Sequence, residues 1–500
     1  LFRVQVSARF RFSSIDRARF LGHFYFLSCI VDSAMVSKGQ IVDLKIDAAA
    51  YKGLSVGRLD ELVIFVRNAV PGDRVQARIV RKKRNYAEAV VEGILETSPH
   101  RTEPRCRYFG ICGGCTWQNS TYEYQLLFKQ RQVEEIFSRL ANLDSALVHP
   151  TIPSPEIYNY RNKMEFSFGA CRWLTREEIA SGFEISRDFA LGLHIPKRWD
   201  RILDLQECHL QSQLSTEIVN RVRHVALDSG WSPYDASSHV GYLRNLVIRT
   251  GTQTDEVLVN LVTFCRDSQR MKILVKELLK AFPEITTIVN TVNPSRSPTT
   301  QEAEEIVYHG EGTIRERIGN FLFTIKPDTF FQPNTAQAEG LCRLVEQYAL
   351  LDGNEIVYDL YSGSGSFTFF LANQAEKVVG IESQARAVEG ALQNAADNEV
   401  QNCVFLTGKV GELLDKRTVA KWGRPQVIIA DPPRSGMHKD VCQAILQLAP
   451  ERVVYVSCNP ATQARDLGIL CQDYEIEAIQ PVDMFPQTYH IENVVSLRLE

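Results

Sequence analysis

Apolar positions in the last third of the chain fall in short uninterrupted runs: EIVYDL (355–360), KVVGIE (377–382), CVFLT (403–407), QVIIAD (426–431) and RVVYVSC (452–458). Segments with helical spacing separate them. Strands of this kind are buried on both faces, and their alternation with helices predicts a parallel sheet covered on both sides. Two further strands, near 474–480 and 493–499, end the sequence with no helix between them, so a final hairpin adds an antiparallel member. Residues 38–97 follow another pattern. Alternating apolar positions, a Pro71-Gly72-Asp73 turn and little helical periodicity predict a small β-barrel, a shape that commonly binds oligonucleotides on a strand face. Between about 99 and 320, β-like runs (EFSFGAC, NLVIRTG, EVLVNLVTF) mix with helices such as SQRMKILVKELLKAF, which predicts an α+β unit. The expected division is therefore an extension over 1–37, a barrel over 38–98, a middle unit over 99–320 and an α/β unit over 321–500. A chain of 500 residues carries about three domains at about 150 residues each.

Composition narrows this picture. No run of about 18 apolar residues occurs, so no membrane partner is expected. A formal net charge of −4 excludes a wholly basic coat, yet RIVRKKRNY (78–86) is a basic run on a barrel strand, with Arg67 and Arg74 before it and Arg101, Arg105 and Arg107 after. Such a run is either a solvated edge or a phosphate-contacting surface. Twelve cysteines in a chain of this length suggest a reducing, cytoplasmic setting in which thiols bind metals or catalyse. The Arg-rich first 35 or so residues, which open on Leu1, read as a targeting-like extension or as sequence upstream of a start at Met35.

DLYSGSGSF (359–367) follows the first strand of the α/β unit and opens a helix. Gly363 and Gly365 let backbone approach a ligand, and Glu382 ends the next strand, placed to bind ribose hydroxyls. Thr368 stands where a dinucleotide turn has its third glycine, so the turn fits S-adenosylmethionine better than a pyrophosphate. ADPPRSG brings Asp431 to the same sheet edge. Cys458 ends the fifth strand and should face that crevice too, where open α/β sheets bind their ligands. A nucleophilic thiolate has a use there if the substrate needs covalent activation. Carbon 5 of uracil is such a case, because addition of a thiolate at carbon 6 makes an enolate whose carbon 5 is reactive. A base must then remove the carbon-5 proton, and Glu492 in DMFPQTYHIENVVSLRL (483–499) is a carboxylate near the last strand.

DPPRSG, YVSCNPATQARD and DMFPQTYHIE, in this order, resemble the RNA uracil-5-methyltransferase family, and FFQPNTAQAE (330–339) resembles its Q-x-N segment. The resemblance covers about 170 residues. It implies that Cys458 is the nucleophile and Glu492 the proton-abstracting base, while Gln332, Tyr361, Glu382 and Asp431 line the cofactor and target-base pocket. Ser366 falls where the family carries Asn, and Ser362 where many members have Cys.

CRYFGICGGC (106–115) spaces Cys106, Cys112 and Cys115 as C-x5-C-x2-C, which matches neither paired zinc units nor a radical-initiating run. Family members with this segment carry a [4Fe-4S] cluster, which implies Cys208 in LQECHL as the fourth ligand. Cys171, Cys265, Cys342, Cys403, Cys442 and Cys471 read as buried hydrophobes.

The barrel at 38–97 resembles a TRAM domain, an RNA-binding module, and the resemblances together imply a C-terminal Rossmann-like class I methyltransferase domain behind this OB-like barrel and an α+β iron–sulfur middle domain. Barrel and cluster together resemble the enzymes acting on 23S ribosomal RNA, with no obligate protein partner implied. Base flipping is expected in folded RNA. A transfer-RNA substrate, a non-catalytic RNA-binding or chaperone protein, and amino-group methylation at the D-P-P turn are the alternatives. The last has no use for a nucleophilic cysteine.

Overall fold

The computed structural model describes residues 36–141, 147–297 and 303–500, so the extension expected over 1–37 lies outside the described residues up to position 35. Five strands spanning Ile41–Glu96 close into a barrel. Their alternation of buried and exposed positions, as in Ile41–Ala50, puts Leu44, Ile46, Ile64, Val66, Val75 and Ile79 inside. The barrel's basic run is less free than its sequence suggests. Arg78 pairs with Glu92, Arg74 with Glu96, and Arg67 and Arg81 with Glu88, all from the neighbouring strand Tyr86–Glu96. Lys82, Lys83 and Arg84 at the end of the run stay exposed.

The middle of the chain forms an eight-stranded, largely antiparallel sheet backed by the helices Gln213–Asp228 and Ser268–Ala281. The last part is a seven-stranded sheet in the order Cys403–Thr407, Lys377–Glu382, Ile356–Leu360, Val427–Ala430, Arg452–Ser457, Glu492–Leu499, Tyr474–Val482. The first five strands run parallel, and Glu492–Leu499 runs antiparallel between Arg452–Ser457 and Tyr474–Val482. Apolar runs without alternation become strands buried on both faces: Val453, Val454, Tyr455 and Val456 are all inaccessible to solvent.

The expected division at 320/321 does not coincide with a boundary between cores. The strands Ile314–Ile318 and Phe321–Ile325 form one hairpin across it, and Ile314, Ile318, Phe321 and Phe323 share a single core with Val357 and Val454 of the large parallel sheet. The helix Tyr122–Ala141, expected in the middle unit, sets Val133 and Phe137 into the core on the other face of that sheet. Hydrophobic periodicity marks elements. It does not say which core a connecting hairpin or helix joins.

Candidate active site at the edge of the sheet

In a parallel sheet the strand register fixes which residues meet at the carboxyl edge. Leu360 pairs with Ile381 and with Ala430, so the next residues, Tyr361, Glu382 and Asp431, stand side by side just beyond the sheet. Ser457 pairs with Asn493 in the antiparallel ladder. Continued by one residue, that register sets Cys458 opposite Glu492, and directly opposed residues of such a ladder have Cα atoms about 5 Å apart. Five of the residues expected at the site therefore share one edge.

The cofactor turn is built locally. Tyr361 takes a left-handed φ of 65°, and its N–H and that of Ser362 both donate to the Ile381 carbonyl. Glu382 accepts the Gly363 N–H at 3.2 Å and the Gln384 N–H at 2.8 Å. Thr368, in place of a third glycine, donates its hydroxyl to buried Asp359 at 2.5 Å. The other Asp359 oxygen and the Ser362 hydroxyl are buried without a partner, and a Cβ added at Gly363 would meet open space. Buried polar atoms left unpaired in a turn that has room at Gly363 are what a polar cofactor would satisfy, so these residues fit S-adenosylmethionine. Ser366 begins the helix Ser366–Ala372 that follows the turn. Gln332 sits on the segment before the helix Thr335–Ala349, held by Asn162, whose side chain donates to the Gln332 carbonyl at 2.8 Å.

Burial pushes both Asp359 and Asp431 up to about 7, with Asp359 adding to the effect at Asp431. Glu492 is buried and pushed well above the ordinary carboxylate range by desolvation and then by Asp431, while Arg434 opposes the shift. Desolvation, followed by Glu492, pushes the Cys458 thiol up to about 11, and Arg434 again acts in the other direction, by charge and by a hydrogen bond. Cys458, Asp431, Arg434 and Glu492 thus act on one another as a single electrostatic unit. A cavity at this edge is lined by Cys458, Arg434, Asn459, Tyr489 and His490; Glu492 does not line it.

Cys458 occupies the single residue between a strand and a helix cap. Asn459 caps the helix Pro460–Leu470, accepting from the Ala461 N–H at 3.2 Å, and its amide donates to the Arg434 carbonyl at 3.0 Å. Strand end, thiol and arginine are thereby locked together, and the helix N-terminus favours an anion at the sulfur. Gly436 lets the DPPRSG turn close: at φ 76°, a Cβ there would lie 2.6 Å from the side chains of Arg465 and Asp466. Sequence reading passed over Arg434, although it stands in the quoted motif. Its link to the thiol depends on a turn conformation that spacing does not reveal.

The loop leading to Glu492 is anchored inside the protein. Asp483 accepts from the fully buried Lys129 at 2.5 Å and from the Tyr122 hydroxyl at 3.0 Å. His490 is pushed down to about 4 by burial and by Arg434, Lys129 and Arg161, so it is neutral near pH 7.

A second cavity, of about 310 Å³, is walled by Cys106, Cys112, Cys115 and Cys208. Each sulfur accepts an N–H: Cys106 from Tyr108, Cys112 from Gly114 at 3.4 Å, Cys115 from the Gln118 amide at 3.2 Å, and Cys208 from Leu210 and Gln211. Burial pushes Cys112 and Cys115 up to about 12. Among the described residues no three His, Cys, Asp or Glu side chains close on a point that would hold one metal ion. The four cysteines line one cavity together, which the sequence spacing alone left open. Cys342 and Cys442 are buried as expected, whereas Cys171, Cys265 and Cys471 are exposed: they lie at strand or helix ends rather than inside a core.

Comparison with known proteins agrees with this geometry. The family described as tRNA (Uracil-5-)-methyltransferase matches residues 252–499, and the TRAM domain matches residues 36–91. An uncharacterized RNA methyltransferase of Bacteroides thetaiotaomicron is 41% identical over 454 residues, covering 90% of this chain and 100% of its own. Another, of Porphyromonas gingivalis, is 40% identical and covers 91% and 99%. Among solved structures, the Pyrococcus abyssi tRNA (uracil-54, C5)-methyltransferase in complex with S-adenosyl-L-homocysteine superposes with a TM-score of 0.70 at 29% identity, over 91% of this chain and 100% of that one. With its methyltransferase sheet behind a TRAM barrel, this chain belongs to the tRNA (uracil-5-)-methyltransferase family of S-adenosylmethionine-dependent RNA methyltransferases.

Proposed function

We propose that the protein methylates carbon 5 of one uridine in 23S ribosomal RNA, through a covalent bond between Cys458 and carbon 6 of the ring. The observation that carries this reading is the ladder ending at Ser457 and Asn493, whose next residues are Cys458 and Glu492, at the edge that holds the cofactor turn. The Cys458 thiol gives its proton to solvent, Arg434 favouring the thiolate, and the sulfur adds to carbon 6 while the ring's electron pair moves toward carbon 5 and the carbon-4 oxygen. S-adenosylmethionine, held by Gln332, Tyr361, Ser366, Glu382 and Asp431, supplies the methyl group. Glu492 then accepts the proton that carbon 5 still carries. The double bond re-forms and the carbon–sulfur bond breaks, returning the thiolate. The base is the ionised form of Glu492, which Arg434 favours against burial and Asp431, and its raised proton affinity makes that carboxylate a strong acceptor for the late abstraction. Asp431, a neighbour of both the turn and the thiol, contacts the uracil edge.

Cys106, Cys112, Cys115 and Cys208 hold a [4Fe-4S] cluster in this reading, supported by four sulfurs around one cavity with an N–H donor to each. The cluster's chemistry is structural, since uracil methylation transfers no electrons. Free thiols and metal-binding cysteines fit a cytoplasmic location. The choice of 23S ribosomal RNA rests on the combination of barrel and cysteine cluster. The second reading, a transfer-RNA substrate, is favoured by the likeness to the Pyrococcus abyssi tRNA (uracil-54, C5)-methyltransferase.

Incubation with 5-fluorouridine-containing 23S and transfer RNAs tests both. Fluorine cannot leave as a proton, so the competent RNA stays attached to Cys458, and mapping the captured nucleotide identifies the substrate. Absence of any adduct from either RNA rejects the covalent mechanism. Anaerobic purification should give about four irons per chain, lost on Cys→Ser change at any of the four positions.

A further inference from the structure

The cavity beside Cys458 has a wall that comes from the far end of the sequence. Tyr51 opens the one-turn helix Tyr51–Gly53 that joins two barrel strands, yet it lines the same cavity as Cys458, Arg434, Tyr489 and His490. Its ring contributes nothing to the barrel core and is 51% exposed. The Tyr489 ring meets it edge-on, with centroids 6.1 Å apart at 71°, and Tyr489 lies on the loop that leads to Glu492. The ammonium of Lys52 stands 5.6 Å from the Tyr51 ring centroid.

The position of this turn is built in. Gly53 has a φ of 71° and approaches Thr116 so closely that an added Cβ would lie 2.7 Å from the threonine Cβ. The barrel tip is thus seated on the loop that follows Cys115, with its tyrosine directed at the catalytic edge.

We propose that Tyr51 is a stacking platform for one unpaired nucleobase of the RNA, a neighbour of the target uridine, with Lys52 holding the adjoining phosphate. This rests on the function proposed above and adds a binding site to it. A uridine that leaves its helix to reach the thiol strips a stacking partner from the bases beside it. An exposed aromatic face at the mouth of the pocket replaces that partner, and it does so for any base, because every base has a π-face. A cation next to the ring adds sequence-independent attraction to the backbone. In this arrangement the barrel forms part of the reaction site and selects for strands already opened at the target.

The test uses the full-length protein and a synthetic RNA hairpin whose loop carries one uridine, with 2-aminopurine placed in turn on either side of it. Stacking on Tyr51 quenches the 2-aminopurine fluorescence at one of the two positions. Y51A and Y51L abolish the quenching and weaken binding of the hairpin about tenfold, whereas Y51F and Y51W keep it; Y51L separates stacking from simple packing against Tyr489. In methyl transfer, Y51A raises KM for RNA more than it lowers kcat. Y51A that quenches as the wild type does, or a wild type that quenches at neither position, overturns the platform. Transfer assayed on the same hairpin reports the proposed function separately: quenching dependent on Tyr51 without transfer supports the platform and counts against that function, and transfer without such quenching does the reverse.

Discussion

The main-chain N–H of Thr116 donates to the carbonyl of Gln487 at 2.9 Å, and the next N–H, of Trp117, donates to the same oxygen at 3.1 Å. One residue before Thr116 is Cys115; five residues after Gln487 is Glu492. The cysteine loop therefore grips the segment that delivers the carboxylate, and Gln487 takes a φ of 67° to present its carbonyl there. Gln125 completes the clamp from the helix Tyr122–Ala141. Its side chain donates to the Trp117 and Ser120 carbonyls and exchanges hydrogen bonds with the Gln487 backbone and side chain.

Gln125 is buried, so its removal leaves these partners unsatisfied. Q125A should lower stability by about 1–3 kcal/mol in urea denaturation. It should also slow RNA methylation while S-adenosylmethionine affinity, read by calorimetry, stays unchanged, because the clamp touches the Glu492 loop and not the cofactor turn. An equal loss of cofactor affinity would mean that the clamp supports the whole sheet edge rather than one loop.

Arg434 opposes the burial and the Glu492 charge that raise the Cys458 thiol. With the thiol pushed up to about 11 by burial and by Glu492, only a small fraction is thiolate near neutrality, so adduct formation should accelerate as pH rises toward that value. Loss of Arg434 removes a cation that favours the anion, which moves the profile to still higher pH. Single-turnover adduct formation by R434A should fall about tenfold for each unit of the shift when followed at fixed neutral pH, and R434K should recover part of the loss. An unshifted profile in R434A would leave the arginine without a role at the sulfur.

The strands of the α/β unit were legible because a strand buried on both faces writes itself as an apolar run, and 377–382, 403–407 and the end of the sheet near 493–499 lie where those runs fall. Cys458 and Asp431 were legible for a related reason: a strand end followed by Pro or Gly marks the sheet edge. The order in which strands join, and so the meeting of Cys458 with Glu492, is a long-range fact that local patterns do not contain; it came from family resemblance. Arg434, Gln125 and Tyr51 were missed because each acts across a gap of tens to hundreds of positions. The basic run 78–86 could be read either way from sequence, since the glutamates that pair with Arg78 and Arg81 belong to the next strand.

The carboxylates at the sheet edge predict a proton-linked cofactor. Asp359 and Asp431, held up to about 7 by burial, bind protons more tightly in the folded chain than unfolded. Between about pH 4 and pH 7 the folded state holds the extra protons, so their contribution to stability is present at low pH and is lost as pH rises through 7. A positively charged sulfonium nearby favours the ionised forms. Binding of S-adenosylmethionine near pH 6.5 should therefore release protons, seen by calorimetry in buffers of different ionisation enthalpy, and affinity should rise with pH across this window. S-adenosylhomocysteine, whose sulfur is uncharged, should release fewer, and D431N should shrink the difference. Equal release by both ligands would remove Asp431 from the cofactor's charge environment.

Glu492 and Cys458 act at different stages of the proposed reaction, and this separates their variants. E492Q keeps the size and burial of the side chain but cannot accept the carbon-5 proton. The thiol can still add, and the methylated ring then has no route to elimination. Ordinary RNA, without fluorine, should accumulate as a methylated covalent complex with E492Q, visible as a slower band on a denaturing gel and carrying label from S-adenosylmethionine. C458A should give neither complex nor methylated product, and the double variant should behave as C458A does. Release of product by E492Q at the wild-type rate would mean that another base removes the proton, Asp431 being a second carboxylate whose charge acts on the thiol. Aspartate at position 492 distinguishes geometry from chemistry. E492D retains a base on a side chain one methylene shorter, so it should turn over slowly without accumulating the complex, whereas a trapped complex in E492D as well would show that reach rather than basicity limits the step.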